Sequence, residues 1–261
     1  MDGIINVYKE AGFTSHDVVA KLRGICRQKK IGHTGTLDPQ ATGVLPVCLG
    51  SATRACEMLT DRTKEYVAEL LLGKITDTQD TTGTVLEERE VAVDEAQVRE
   101  VIGSFVGGYD QIPPMYSALK VNGKKLYELA RAGKEVERQA RHVDLPAIEI
   151  LEIRLPVVKF RVECSKGTYI RSLCADIGGK LGCGGTMQSL VRTRVGEFRL
   201  TDALTLTQLQ ELRDTGRLEE ALLPTDRIFA DFHAVHVEEK WRKLIDNGNA
   251  FYPGQTMEQT T

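Results

Sequence analysis

A chain of 261 residues, 41% hydrophobic and 27% charged, has the composition of an ordinary folded protein and is too rich in apolar side chains for a disordered one. At that length folding buries most of the surface an unfolded chain exposes, so neither disulfides nor a structural metal is needed to hold it together. The formal net charge of −3 excludes a uniformly basic nucleic-acid binder, and no apolar run approaches the length of a membrane span.

Gly3 to Tyr8 reads as a strand. Thr14 or Ser15 can cap a helix in which Val18, Val19, Leu22, Ile25 and Cys26 recur at helical spacing. After a loop from Gly32 to Gly43, Val44 to Leu49 reads as a buried strand, Ala52 to Leu59 as a helix and Tyr66 to Leu72 as a strand. Asp94 can cap a helix running to Ile102. Pro113-Pro114 interrupts the pattern, and Asn122-Gly123 signals a hairpin or tight turn. A short helix from Leu126 to Ala132 should stop at Gly133. Strands follow around Ile148 to Ile153 and Val157 to Cys164, a helix around Ser172 to Leu181, a strand around Ser189 to Arg199 and an amphipathic helix from Leu206 to Leu212. The alternation is too irregular for a doubly wound sheet, so the expected class is α/β of a mixed, α+β kind. Near Leu223-Pro224 this organisation ends, and the remaining three dozen or so residues are too few for a core of their own.

Cys26, Cys48, Cys56, Cys164, Cys174 and Cys183 are scattered, with no C-x-x-C pair and no histidine pair, so no zinc site is expected. Met1-Asp2-Gly3 lacks the basic and apolar regions of a secretory leader, and the expected location is the cytoplasm, with these thiols reduced. Charge is segregated. Lys21, Arg23, Arg27, Lys29 and Lys30 form one acid-free run, and Lys120, Lys124, Lys125, Arg131, Lys134, Arg138 and Arg141 a second basic stretch. Acids gather between Asp77 and Glu100 and from Glu211 onward. Either run alone reads as a solvated helix face; two on one chain suit a surface that follows phosphates.

The stretch from Gly32 to Pro46, GHTGTLDPQATGVLP, carries the most chemical information. Its three glycines permit backbone angles closed to other residues, and Pro39 pushes Asp38 toward an extended geometry. Read alone, Asp38-Pro39 is far more readily a turn than a catalytic carboxylate. Neither this loop nor Gly178 to Gly182 has the ending of a phosphate-binding loop, and His33 has no partner at metal-ligand spacing.

The loop GHTGTLDPQATGVLPVCLG resembles the catalytic motif of the TruB family of tRNA pseudouridine synthases. Further matches follow in order: GFTSHDVV at Gly12 to Val19, KEYVAELLLG at Lys64 to Gly73, TDTQD at Thr76 to Asp80 and PPMYSALKVNGKKLYELARAG at Pro113 to Gly133. VERQAR at Val136 to Arg141, GTYIRSL at Gly167 to Leu173 and LVRTRVGEF at Leu190 to Phe198 complete the set, which extends from about Gly3 to Pro224.

The resemblance implies a pseudouridine-synthase-like fold, with a central mixed, largely antiparallel sheet flanked by helices. It also implies a metal-free and cofactor-free isomerisation of uridine 55 in the tRNA T arm, on a base flipped out of its stack. Asp38 matches the family nucleophile, attacking either C6 of the base or C1′ of the sugar. Tyr66 matches the tyrosine that stacks on the target base and helps remove the C5 proton. Tyr169 and Arg171 complete the expected catalytic group, Arg171 pairing with Asp38 to keep it ionised, with a lowered pKa. His33, Asp80 and Leu190 match substrate-binding positions, although for Leu190 a place in the core reads almost as well. Lys9 and the insertion residues Lys120, Lys124, Lys125, Arg131 and Arg141 are the remaining expected substrate contacts. The implied organisation is a catalytic domain over 1–224, a thumb-like insertion at about 110–142 that closes over the T arm, and the incomplete start of a PUA-like RNA-binding domain over 225–261. The expected partner is tRNA, bound by a monomer that needs no metal, membrane or protein partner. The family's usual Lys-Pro is Lys9-Glu10 here. A tRNA-binding protein without catalysis is the alternative reading, and a glycosidase would need a second carboxylate that the matched motifs do not place beside Asp38.

Overall fold

Alternation of apolar and polar residues, and glycines where the chain must turn tightly, divide the sequence into strands and helices. The computed structural model describes residues 1–121, 123–229 and 232–257, and the chain divides into two units, Met1–Thr225 and Asp226–Thr261. In chain order the first unit holds β1 (Gly3–Lys9), α1 (Ser15–Ile25), β2 (Ile31–His33), β3 (Thr42–Leu49), α2 (Cys56–Thr60), β4 (Lys64–Leu72), β5 (Lys74–Thr76) and β6 (Val85–Glu88). It continues with α3 (Glu95–Gly103), β7 (Tyr109–Gln111), β8 (Lys120–Val121), β9 (Lys124–Lys125), α4 (Leu126–Arg131) and β10 (Arg141–Val143). It ends with β11 (Ala147–Arg154), β12 (Val157–Cys164), α5 (Ile170–Lys180), β13 (Gly185–Val195), β14 (Phe198–Arg199) and α6 (Leu206–Asp214).

Eight strands make one sheet in the order β1-β3-β13-β4-β12-β11, with β2 on β3 and β14 on β13. Every pairing is antiparallel except β13 with β3. This is the mixed, largely antiparallel sheet expected. Strand β4 alternates strictly, burying Lys64, Tyr66, Ala68, Leu70 and Leu72, whereas β3 is buried at nearly every position and reads as a continuous apolar run. One core gathers β4, β12, α3 and α5 around Phe160, Leu70, Val98 and Leu173; another packs α1 and α6 on β1 and β3 around Val18, Leu22, Leu45 and Leu209.

Thr14 caps α1 and Asp94 caps α3, each as a reciprocal capping box with the residue three positions on, Asp17 and Gln97. The strand expected over Ser189 to Arg199 starts at Gly185 instead and breaks at Gly196, whose φ of +53° turns it into the β13–β14 hairpin. Strands β8 and β9 form the expected hairpin, with Gly123 at φ +81°; its companion Asn122 lies outside the described residues. Gly133, at φ +68°, follows α4. Strands β7 and β10 pair at the base of the insertion.

The second unit contains α7 (Arg242–Asp246) and short 3₁₀ turns, and leaves Phe232 and Tyr252 59% and 72% exposed. Among the described residues no helix is long and apolar enough to cross a membrane.

Candidate active site

Strand register builds one wall of the site. Lys9 of β1 lies opposite Gly43 of β3, Gly43 opposite Arg192 of β13, and Arg192 opposite Tyr66 of β4. Directly opposed residues present their side chains to one face of a sheet, so this row sets two cations and a phenol side by side. Gly43 is required in the row: its φ is +108°, and a Cβ there would sit 2.2 Å from the Arg192 carbonyl oxygen.

The loop between β2 and β3 is pinned to that row by its carbonyls. Lys9, fully buried, donates from Nζ to the carbonyls of Glu10 at 3.1 Å, Pro39 at 3.0 Å and Ala41 at 2.6 Å. Arg192, 1% exposed, donates from Nε to the Val44 carbonyl at 2.7 Å and from Nη2 to the Gly35 carbonyl at 3.3 Å. At the other end of the loop, Ser15 Oγ accepts from the Leu37 N–H at 3.0 Å. Asp38 is thereby presented at the edge of two buried cations.

Arg171, in the first turn of α5, meets Asp38 across 133 residues of sequence. Its Nε lies 2.9 Å from Asp38 Oδ2 and its Nη2 3.2 Å from Oδ1, a two-point fork that fixes the plane of the carboxylate. The guanidinium is only 5% exposed and its other donors are used: Nη1 on the Thr78 carbonyl at 3.0 Å, Nη2 also on the Tyr116 carbonyl at 2.8 Å. Asp80 Oδ2 stands 4.0 Å from Nε. Its Oδ1 accepts from Thr78 Oγ1, the Thr82 N–H and Thr82 Oγ1 at 2.8, 2.9 and 2.5 Å, closing a tight turn in which Gln79 has φ +63°.

Burial is the largest influence on Asp38 and raises its pKa above the ordinary 3.8; Arg171 and Lys9 pull it down and Asp80 pushes it further up. This corrects the expectation of a lowered value. A carboxylate withdrawn from water loses more than one arginine restores when a second carboxylate shares that arginine. Lys9 is a second correction. A fully buried ammonium with three carbonyl partners is not a substrate contact but a clamp on the Asp38 loop, and burial lowers its pKa to about 8. Glu10, in place of the family proline, supplies one of those carbonyls.

Tyr66 is 8% exposed, and burial raises its phenol above the ordinary value against the pull of Arg192; the Asp38 charge acts on it in the same upward sense. Tyr169, the N-cap of α5 in extended geometry, is likewise raised by burial, lowered by Arg171 and raised by Asp38. The carboxylate, the arginine and both tyrosines thus share one electrostatic neighbourhood. Leu190 is 8% exposed within the core cluster that contains Tyr66. His33 stacks edge to face on His16 at 5.5 Å, and burial together with the charges of His16 and Arg192 lowers its pKa, leaving the ring neutral. Lys120, Lys124, Lys125, Arg131 and Arg141 lie on the insertion, and none of them bonds the Asp38–Arg171 fork, although the Arg141 charge reaches Tyr169. Lys125 and Arg131 both sit over the Tyr127 ring, each 5.4 Å from its centre.

Arg192, Thr78 and the Tyr116 carbonyl were not singled out from sequence. Arg192 lies inside a matched motif, but only the strand register shows that its side chain serves the loop. Among the described residues no cluster of three or more histidines, cysteines or acids could hold a metal.

A mixed sheet carrying an aspartate loop against an arginine on a helix N-terminus defines the pseudouridylate synthase class. Solved relatives agree: the chain superimposes on a chain of a Cbf5–Nop10–Gar1 complex with TM-score 0.76 at 33% identity, covering 94% of this chain and 67% of that one. A chain of an H/ACA ribonucleoprotein bound to a substrate RNA containing 2′-deoxyuridine gives TM-score 0.74 at 31% identity, over 95% of this chain and 67% of that one. Family models narrow the class. Residues 23–170 match the N-terminal domain of TruB family pseudouridylate synthases, and residues 171–230 the C-terminal domain of tRNA pseudouridylate synthase B. The chain belongs to the TruB family. It is 56% identical to tRNA pseudouridine synthase B of Lachnoclostridium phytofermentans, over 95% of this chain and 84% of that protein. With the protein of the same name from Alkaliphilus oremlandii it is 50% identical, over 97% of this chain and 83% of that one.

Proposed function

We propose that the protein is a tRNA pseudouridine synthase that converts uridine 55 of the T arm to pseudouridine, with Asp38 as nucleophile. The observation that carries this reading is the two-point fork of Arg171 on Asp38 within the family's motif framework. Arg171 cannot lose its charge at cellular pH and holds one carboxylate oxygen pair in a defined plane, which a nucleophile must have before substrate arrives. The reaction is an internal rearrangement. The N1–C1′ bond breaks, the base turns, C5 bonds to C1′ and the C5 proton leaves while N1 gains one, so no oxidant or group donor enters the balance. Asp38 forms and then releases a covalent bond to C6 or C1′. Tyr66 stacks on the extruded base and assists loss of the C5 proton; because burial keeps its phenol protonated, the hydroxyl passes on its own proton as it takes the new one, and the net proton leaves to solvent.

Asp80 stands beside the same Arg171 Nε that faces Asp38 and adds to the anionic setting of the guanidinium. Tyr169 and Leu190 line the space for the flipped nucleotide, His33 fills the place it vacates in the T-loop stack, and the insertion with Lys120, Lys124, Lys125, Arg131 and Arg141 closes over T-arm phosphates. Residues 225–261 contribute PUA-like contacts to the rest of the tRNA, and the catalytic domain is 1–224. In this reading the enzyme acts as a monomer on cytoplasmic tRNA. The test is carbodiimide-dependent primer extension on a transcribed tRNA: the protein should place a stop at position 55, and Asp38→Asn should abolish it while tRNA affinity stays nearly intact. A stop of wild-type strength from Asp38→Asn would refute the assignment.

A further inference from the structure

Gln111 is 1% exposed and is the last residue of β7, opposite Arg141 of β10, where the chain departs into the insertion and returns from it. Its side-chain amide grips the main chain of Tyr169 by both polar groups. Oε1 accepts from the Tyr169 N–H at 2.8 Å, and Nε2 donates to the Tyr169 carbonyl at 3.0 Å. The amide orientation is dictated, because a backbone N–H only donates and therefore faces the oxygen. Nε2 also donates to the Tyr109 hydroxyl at 2.6 Å, leaving the Tyr109 proton to bond Asp176 Oδ2 at 2.8 Å. Every bond from the Tyr169 backbone to the Asp176 carboxylate thus has one direction.

Tyr169 caps α5, and Arg171 follows two residues later. Two more bonds tie this turn to the same stem: Arg171 Nη2 to the Tyr116 carbonyl at 2.8 Å and Ser172 Oγ to the Ile112 carbonyl at 3.2 Å. Those two use backbone acceptors that any residue would supply. Gln111 is the stem residue whose side-chain chemistry the link depends on. We infer that Gln111 is a positioning residue that couples the stem of the insertion to Tyr169 and Arg171, so that the seated stem holds the cation in place on Asp38. This rests on the pseudouridine synthase reading.

The test compares Gln111→Leu, Gln111→Glu and Tyr109→Phe in the full chain. Single-turnover pseudouridine formation, equilibrium tRNA binding and melting temperature are read for each. Gln111→Leu should lose at least about tenfold in single-turnover rate while tRNA affinity stays within about threefold, the split expected when only the reacting geometry is disturbed. Tyr109→Phe keeps both bonds from Gln111 to Tyr169 and should stay within about twofold of wild type. Gln111→Glu keeps the acceptor for the Tyr169 N–H but, ionised, has no donor for its carbonyl, so its rate relative to wild type should recover as the pH is lowered. The Asp38 carboxyl, followed by carbon NMR, should titrate higher in Gln111→Leu, because a loosened Arg171 stabilises the carboxylate less. A wild-type rate in Gln111→Leu, a loss appearing only in binding, or a Tyr109→Phe defect as large as that of Gln111→Leu would overturn the inference. Should Gln111→Leu not fold, a wild-type rate for Gln111→Glu at every pH overturns it as well. If the wild-type protein forms no pseudouridine, the functional reading fails; the Asp38 titration still decides the coupling.

Discussion

A nucleophilic carboxylate must be ionised to react, yet Asp38 sits where burial favours the neutral acid. Its pKa is raised above 3.8 with Arg171 opposing the rise. The sign for stability follows: an acid whose folded pKa lies above its unfolded one contributes stability that is fully present below the unfolded value and is lost as the pH climbs through the folded one. At neutral pH the ionised nucleophile therefore weakens the fold. With 36% of the Asp38 side chain exposed, solvent softens that effect without reversing it. Asp38→Asn should accordingly melt no lower than wild type at neutral pH although it is inactive, and a clearly lower melting temperature would contradict this balance. For activity the same shift predicts an acid limb with its midpoint above 3.8 in the single-turnover rate of the wild-type enzyme. Arg171→Lys retains the charge but not the fork. The loss of one charge-assisted hydrogen bond, roughly 1.5–3 kcal/mol, should lower the plateau by about 10- to 100-fold and move the limb further up. A pH–rate profile of the variant that overlays wild type would show that the fork does not tune Asp38.

Strands β1, β3, β13 and β4 meet in the row Lys9, Gly43, Arg192 and Tyr66, and the two cations of this row hold carbonyls of the Asp38 loop. Arg192 is nearly sealed from water and holds the Val44 and Gly35 carbonyls. Arg192→Met removes both donors and strands two acceptors, at a cost of roughly 2–4 kcal/mol. For a unit of this size that should lower the melting temperature by several degrees, and an unchanged melt would show that water replaces the lost donors. Much of the element level was legible beforehand. The reciprocal caps at Thr14 and Asp94 have a local signature, as do the alternation of β4 and the Gly-Pro chemistry of the loop. The motifs also located Asp38 and Arg171, whose side chains do meet. The register row was not legible, because opposition across four strands is a long-range property that no window of sequence contains. The Thr78 and Tyr116 carbonyls were invisible for another reason: a backbone acceptor leaves no mark on residue type. The direction of the Asp38 shift was misread because it depends on depth of burial, which partner identity alone does not give.

Over the whole chain the formal charge is −3, so attraction to RNA has to come from how charge is distributed. Acids crowd Asp77 to Glu100, while the insertion carries Lys120, Lys124, Lys125, Arg131 and Arg141. Lys124 and Arg131 are exposed or half-buried, and Lys125 and Arg131 flank the Tyr127 ring at 5.4 Å, an aromatic bracketed by cations on a solvent-facing hairpin and helix. Such a cluster gains nothing from being buried in its own fold, and phosphate oxygens are the ligands it matches. Neutralising Lys124, Lys125 and Arg131 together, as Gln, should leave the melting temperature nearly unchanged because none of the three is sealed in the core. Binding to tRNA should weaken most at low salt. Each phosphate left without its cation takes roughly 0.7 off the slope of log affinity against log salt on looped or single-stranded RNA, so the triple substitution should flatten it by about 2. Titrations at several salt concentrations decide the matter. A parallel line displaced to weaker affinity would mean that these cations act through the shape of the insertion, and a line identical to wild type would mean that the insertion does not reach the phosphates at all.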